Sequence, residues 1–273
     1  MEHLSSSPAK ARRHFRLPVW LWPIALVMIV GYGWWWNVHR SIPLSEALSP
    51  VYWYKRFLGE DLYDPHYRIL YHGNRALHEV ALTIDDGPHP QYCPSLLAIL
   101  RHYHVHATFF VVGQRMKQCP YLVQDMLADG NEVGNHTVDH IRLVTLNNEE
   151  IWHEINDNDI NFYRITGHHM TVMRPPGVDY NPRVLKITKE LGYVVVSWTC
   201  AAKDYDEQTP DFIVNRILDR TENGSIILLH DDRPETVVAL PRIISALLRQ
   251  GYHFVTIAQM LAHLPHPVII QSN

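Results

Sequence analysis

From Glu79 onward the chain alternates short β-branched runs with longer stretches of helical spacing, and this alternation narrows its fold more than any other feature. The strand-like runs are Glu79–Ile84, Ala107–Val112, Asn131–Gly134, Met170–Met173, Tyr193–Ser197, Ser225–Leu229 and Tyr252–Val255. Helical stretches separate them at Pro94–Tyr103, Tyr121–Asp129, Asn148–Thr166, Pro182–Leu191, Pro210–Glu222 and Thr236–Gln250, and Ile257–Leu264 reads as a closing helix. Gly130, Gly192, Gly224 and Gly251 stand where helices stop before the next strand, and proline or a capping residue opens several of them. Strand-then-helix repetition implies a parallel sheet with helices packed outside it. Seven such units favour an α/β barrel of the TIM-like kind over an open doubly wound sheet, a choice that periodicity alone leaves open.

Composition excludes several classes. With 47% hydrophobic and 19% charged residues in 273, the chain has ample core material and is not disordered throughout. Lys10, Arg12, Arg13, Arg16 and Glu2 precede position 37, leaving 20 basic against 27 acidic residues beyond it, a balance that argues against nucleic-acid binding. No glycine-rich dinucleotide or phosphate loop follows the first strand, so nucleotide cofactors lack their usual support. Three cysteines cannot all pair, which excludes a disulfide scaffold. Cys93 and Cys119 fall on one rim, where a disulfide and two free thiols both stay open, while Cys200 reads as a packed residue.

Pro18 to Trp36 carries no charge. As a helix its 19 residues reach roughly 28 Å, close to the hydrocarbon thickness of a bilayer. Trp20 and Trp22 at one end and Trp34, Trp35 and Trp36 at the other suit the two interfaces, and the preceding basic residues place the amino end inside. A cleaved signal is disfavoured, since no small-x-small site follows the apolar run. The expected organisation is a cytoplasmic basic tail (1–17), a transmembrane helix (18–36), a stalk (37–78), a catalytic domain (79–264) and a tail (265–273). The protein is accordingly expected in the cytoplasmic (inner) membrane as a single-pass protein with its catalytic domain periplasmic or extracellular.

In parallel β/α barrels the chemistry sits at the carboxyl ends of the strands. Those positions read Asp85-Asp86-Gly87-Pro88, Asn135 to His140, Arg174-Pro175-Pro176-Gly177, Trp198 to Asp204, and His230-Asp231. His136 and His140 share a face if their loop turns helical, and Asp86 would complete a two-histidine, one-carboxylate site of the catalytic-zinc kind. Asp85 beside it would accept the proton of a cation-polarised water. Asp-Asp-Gly-Pro is also a turn, and the two readings are compatible. Taken singly, His-x-x-x-His is an accident among 19 histidines, Arg174 a surface or helix-pairing residue and His230 a core histidine; it is their convergence on one rim that argues for a site. His102, His104 and His106 alternate at the amino end of the second strand, on the opposite rim, and read as solvated surface.

Thr83 to Pro88, the His136/His140 pair, Arg174-Pro175-Pro176 and Leu228-Leu229-His230-Asp231, with Ala107 to Gly113 after the first helix, resemble the polysaccharide deacetylase (NodB-homology) family. The resemblance spans roughly residues 79 to 260 in the family's order. It implies a distorted seven-stranded barrel and metal-dependent removal of N-acetyl groups from amino sugars. By it Asp85 is the base, Asp86, His136 and His140 hold a divalent cation expected to be Zn2+, His230 is the acid and Arg174 keeps Asp85 ionised. Gly177, Trp198, Asp204, Tyr205 and Leu228 are then the expected substrate contacts. Two motifs depart from the family. Gly177 and Val178 stand where an aromatic and a glycine are usual, and Ala201 to Tyr205 replaces Asp-x-x-Asp-Trp, keeping only Asp204 and the aromatic position. The expected substrate is N-acetylglucosamine in an extracytoplasmic glycan such as peptidoglycan, a chitin-like chain or an exopolysaccharide. The alternatives are a deformylase or amidase acting on a lipid-linked amino sugar, and an inactive barrel that binds glycan.

Overall fold

The computed structural model describes residues 62–206 and 208–270, all within one compact unit, Lys55–Asn273. Its strands are β1 (Tyr63–Asp64), β2 (Ile69–Leu70), β3 (Glu79–Gly87), β4 (Thr108–Val111), β5 (Glu132–Asn135), β6 (Val172–Met173), β7 (Val194–Val196), β8 (Cys200–Ala201), β9 (Ser225–His230) and β10 (His253–Val255). The helices are α1 (Cys93–Tyr103), α2 (Gly113–Gln118), α3 (Pro120–Ala128), α4 (Asn148–Thr166), α5 (Pro182–Glu190), α6 (Pro210–Leu218), α7 (Pro234–Arg249) and α8 (Ile257–Ala262). Each of the seven expected strands is present, with ends displaced by a few residues. The best-defined helix is α4, which Asn147 and Glu150 open as a reciprocal capping box and Gly167 closes in the left-handed region.

The expected closed barrel is not what forms. The strands make one open sheet in the order β1-β2-β7-β6-β5-β4-β3-β9-β8, with β10 on the lower part of β3; all pairings are parallel except β1 with β2, which is antiparallel. This is a half-barrel mixed sheet. The reason lies in one stretch of chain. β7 lies beside β6 and leads through Ser197–Thr199 into β8, which pairs with β9, so successive stretches of one chain sit at distant places in the sheet with no ladder between β7 and β8. The other edge of β7 is taken by β2, where Ile69 stands opposite Val195. Strands β1 and β2 come from the stretch read as a stalk.

The membrane-crossing helix expected at residues 18–36 finds no support. That stretch lies outside the described residues, and among the described residues no helix is long and apolar enough to cross a membrane.

Strand alternation assigns the two faces. Val80, Leu82, Ile84, Phe109, Val111, Met173, Val195, Ile227 and Leu229 pack into the large core against the helices. Ala81, Phe110, Val172, Val194, Val196 and Ile226 form a second core on the other face, covered at one end by Ile257, Met260 and Leu261 of α8. With a period of two, the inner face that holds Ala81 must also hold Thr83 and Asp85, and the face of Ile226 must hold Leu228 and His230. In the β3–β9 ladder Asp85 stands directly opposite His230.

Candidate functional site

The inner face at the carboxyl ends of β3, β5, β6 and β9 gathers the titratable residues. Asp85 is buried, and its Oδ1 accepts a 2.7 Å hydrogen bond from Arg174 Nη1. Arg174 is fully buried with its guanidinium 4.4 Å over the Phe110 ring. It donates to Thr83 Oγ1 (2.8 Å), Val196 O (3.2 Å) and Ser197 O (2.9 Å) as well. A guanidinium so buried is tolerated only because a carboxylate and several acceptors surround it. Its placement fixes the orientation of the Asp85 carboxylate.

Asp86, His136 and His140 come together, each offering one ligand atom within 4.8 Å of the others. The loop from His136 to His140 is not the helical turn the spacing suggested. Thr137 and His140 have φ of 67° and 58°, and this reversal brings the second imidazole back over the first, with ring centroids 4.9 Å apart. Asp86 is left-handed too, with φ of 68°. Non-glycine residues rarely adopt this region, and two of these three side chains are aimed by it.

The loop is held from behind. Glu154 of α4 accepts the Val138 and Asp139 N–H groups, each at 3.0 Å. Asn135 accepts from Thr137 N and donates to Ile155 O and Tyr193 Oη. Asn158 donates to Val111 O and to Asn135 Oδ1. None of these three was singled out in the sequence. A signal was there for two, because Glu154 and Asn158 fall on the apolar stripe of α4 with Ile151 and Ile155, where a polar side chain needs a partner.

The donor set fits a divalent cation. Asp86 Oδ1 is buried with no hydrogen-bond partner, while His140 Nε2 and His136 Nε2 stand 3.0 and 3.3 Å from it. His136 Nδ1 lies 2.6 Å from the Arg174 carbonyl, an acceptor only, so Nδ1 carries the proton and the Nε2 lone pair faces Asp86. Burial works to raise the Asp86 carboxyl, but imidazoles that carry a proton towards it outweigh burial and hold the group well below the usual carboxylate range, and a bound cation would stand in place of those protons. Deprotonated oxygen and neutral imidazole are the forms a metal takes. The main-chain oxygen of Asp86 is bonded by Arg115 Nη1, another residue the sequence did not mark.

His230 lies across from Asp85. Its Nδ1 is 2.7 Å from Asp204 Oδ1, and its N–H donates to Asp204 Oδ2 at 2.8 Å. Asp204, expected against substrate, is instead fully buried and also accepts from Thr236 Oγ1 at 2.7 Å, so it acts on the histidine. The Tyr205 ring stands edge-on to His230 at 5.4 Å and is 45% exposed; Trp198 is 40% exposed. Leu228 is buried near the end of β9. Gly177 is exposed on a 3-10 turn with φ of 66°, and a side chain there would meet nothing within 4 Å. Val178 follows at φ of 51°, a strained setting for a β-branched residue. Val178→Gly is expected to stabilise the protein by about 0.5–1 kcal/mol, the left-handed strain of about 1–2 kcal/mol less the entropy glycine brings. A calorimetric Tm that falls or stays put would contradict this.

Elsewhere, Cys93, Cys119 and Cys200 are free and buried. His102, His104 and His106 are exposed at the amino end of β4.

Residues 72–196 match the family model described as polysaccharide deacetylase. A peptidoglycan-N-acetylglucosamine deacetylase of Bacillus cereus is 39% identical over 189 residues, 67% of this chain and 88% of that protein. A peptidoglycan-N-acetylmuramic acid deacetylase of Bacillus subtilis is 35% identical over 66% of this chain, which spans only 38% of that protein. Among solved structures, a peptidoglycan N-acetylglucosamine deacetylase in complex with 4-naphthalen-1-yl-N-oxidanyl-benzamide superposes with a TM-score of 0.70 at 31% identity, covering 71% of this chain and 93% of that one.

Proposed function

Because the chain belongs to the polysaccharide deacetylase family, we propose that it hydrolyses the acetamide of N-acetylglucosamine residues in peptidoglycan. The observation that carries this is the pairing of Asp85, held by Arg174, with His230 on the neighbouring strand beside Asp86, His136 and His140. Amide hydrolysis needs a polarised carbonyl, a nucleophile at neutral pH and a proton for the departing amine. A divalent cation held by Asp86, His136 and His140, which we take to be zinc, supplies the first and lowers the pKa of water toward ~7 for the second.

The side chains supply the proton transfers. Asp85 accepts the proton of the attacking water; its Oδ2 lies 3.9 Å from His136 Nε2, beside the cation site. The Gly177 N–H donates to the oxygen on which negative charge develops. His230 gives its proton to the amine nitrogen as the C–N bond breaks, and Asp204 keeps that proton on the imidazole until then. Trp198 and Tyr205 offer exposed rings against which a sugar can stack. The reading carries an extracytoplasmic catalytic unit with it, since that is where such a polymer lies.

Acetate release from N-acetylated peptidoglycan fragments tests the proposal. Chelator-stripped protein should lose at least about 100-fold in rate, and zinc should restore it. Release indifferent to chelation would sink the metallohydrolase, and glycan binding without any release would favour a binding barrel.

A further inference from the structure

We propose that Asp231 is a positioning residue which clamps the turn bearing Asp85 and Asp86 to the end of β9 bearing His230, a role that rests on the deacetylase reading for its meaning. The turn needs such a clamp. The β3–β4 register shifts between Ile84 and Gly87, and Asp86 is left-handed, so the backbone at Asp85 and Asp86 leaves the regular β3–β4 ladder just before β3 ends at Gly87. Its polar groups are taken up one by one. Asp231 N–H donates to Asp85 O at 2.9 Å, Val112 N–H to Gly87 O at 2.9 Å, and Arg115 to Asp86 O. His89 N–H donates to Asp231 Oδ2 at 2.9 Å. Asp231 therefore grips the turn at both ends, through its backbone before Asp86 and its side chain after it.

The fit is close. Asp231 is fully buried, and a methyl added at Gly87 would lie 2.5 Å from its Oδ2, so only glycine lets the turn approach. The residue follows His230 directly, which means one clamp sets the metal ligand, the base and the acid in a single frame. Burial pushes the Asp231 carboxyl up to about 7. Oδ2 accepts the His89 N–H in either protonation state, so the role is geometric and an amide should serve.

The test uses the full chain, stripped by chelator, with zinc affinity read by competition against a chromophoric chelator and kcat and KM read by acetate release. Asp231→Ala should weaken zinc binding about 10–100-fold and lower kcat while KM stays within about twofold. Asp231→Asn should restore both to within about threefold, its amide oxygen accepting the same bond. Gly87→Ala leaves the acid in place, and should reproduce the zinc loss by displacing the turn; it carries the test if Asp231→Ala does not fold. Wild-type zinc affinity and kcat in Asp231→Ala, or in Gly87→Ala if it alone folds, would overturn the clamp. So would an Asp231→Asn protein that folds but is as impaired as Asp231→Ala. If the wild type releases no acetate yet Asp231→Ala still loses zinc, the deacetylase reading fails and the clamp stands.

Discussion

Asp85→Asn is expected to lower kcat about 10³-fold at nearly unchanged KM, within the range a general base contributes. Asparagine preserves the shape and can still accept the 2.7 Å hydrogen bond from Arg174, but it cannot take a proton from water. The same change strips a fully buried guanidinium of its counter-charge. Removing one partner of such a pair costs about 3 kcal/mol or more. For a unit of this size that lowers Tm by roughly 6–12 °C. Zinc affinity should stay within a few-fold, since Asp85 is not among the three converging ligand atoms. Steady-state acetate release, a thermal melt and a zinc titration on one preparation separate these effects. Retention of a tenth of the activity in folded, zinc-loaded protein would remove Asp85 from the role of base.

Asp204→Asn is expected to pull the alkaline limb of kcat/KM downward and cut activity at pH 8 at least about 10-fold, a tenfold change for each pKa unit crossed. Burial lowers the His230 pKa, but the hydrogen bond and charge of Asp204, with the charges of Asp85 and Asp86, raise it further, to about 9. His230 donates only while protonated, so the rate holds below its pKa and falls above it. A cation on Asp86 cancels that carboxylate's share and leaves the share of Asp204, so the loaded enzyme should lose activity between 6.5 and about 9. Without the Asp204 charge, burial acts with little opposition and the limb moves to 6.5 or below. Stability follows the same sign. The folded-state pKa is raised, so the pairing contributes fully below 6.5 and is lost as pH rises through about 9. The wild type should therefore lose stability over that interval and the variant should not. A limb that does not move would separate Asp204 from the acid.

Helix α4 was legible to the residue, because Asn147, Glu150 and Gly167 spell both of its ends in the local sequence. The loops after β3, β7 and β9 were legible for a similar reason, since each follows an apolar, β-branched run, while those after the shorter β5 and β6 were marked by their own residues, the His136/His140 pair and Arg174-Pro175-Pro176. Strands β1, β2 and β8 were not, because two residues show no period. Helix α2 is six residues long, too short to announce itself, and with it went Arg115 and the bond to Asp86. The spacing of His136 and His140 pointed correctly to one site but wrongly to a helical turn, which Glu154, Asn135 and the left-handed residues replace.

Local sequence thus determined the longer elements, the inward alternation of Asp85 and His230 and the residue types at the strand ends, because period, capping and turn chemistry act over a few residues. Only the tertiary structure decided that the sheet stays open, that Asp204 serves His230 and that Asp231 and Arg115 hold the turn of Asp86. Those outcomes depend on which distant strand takes a free edge and which buried polar group finds a partner, and no short stretch of chain contains both halves of such a bond.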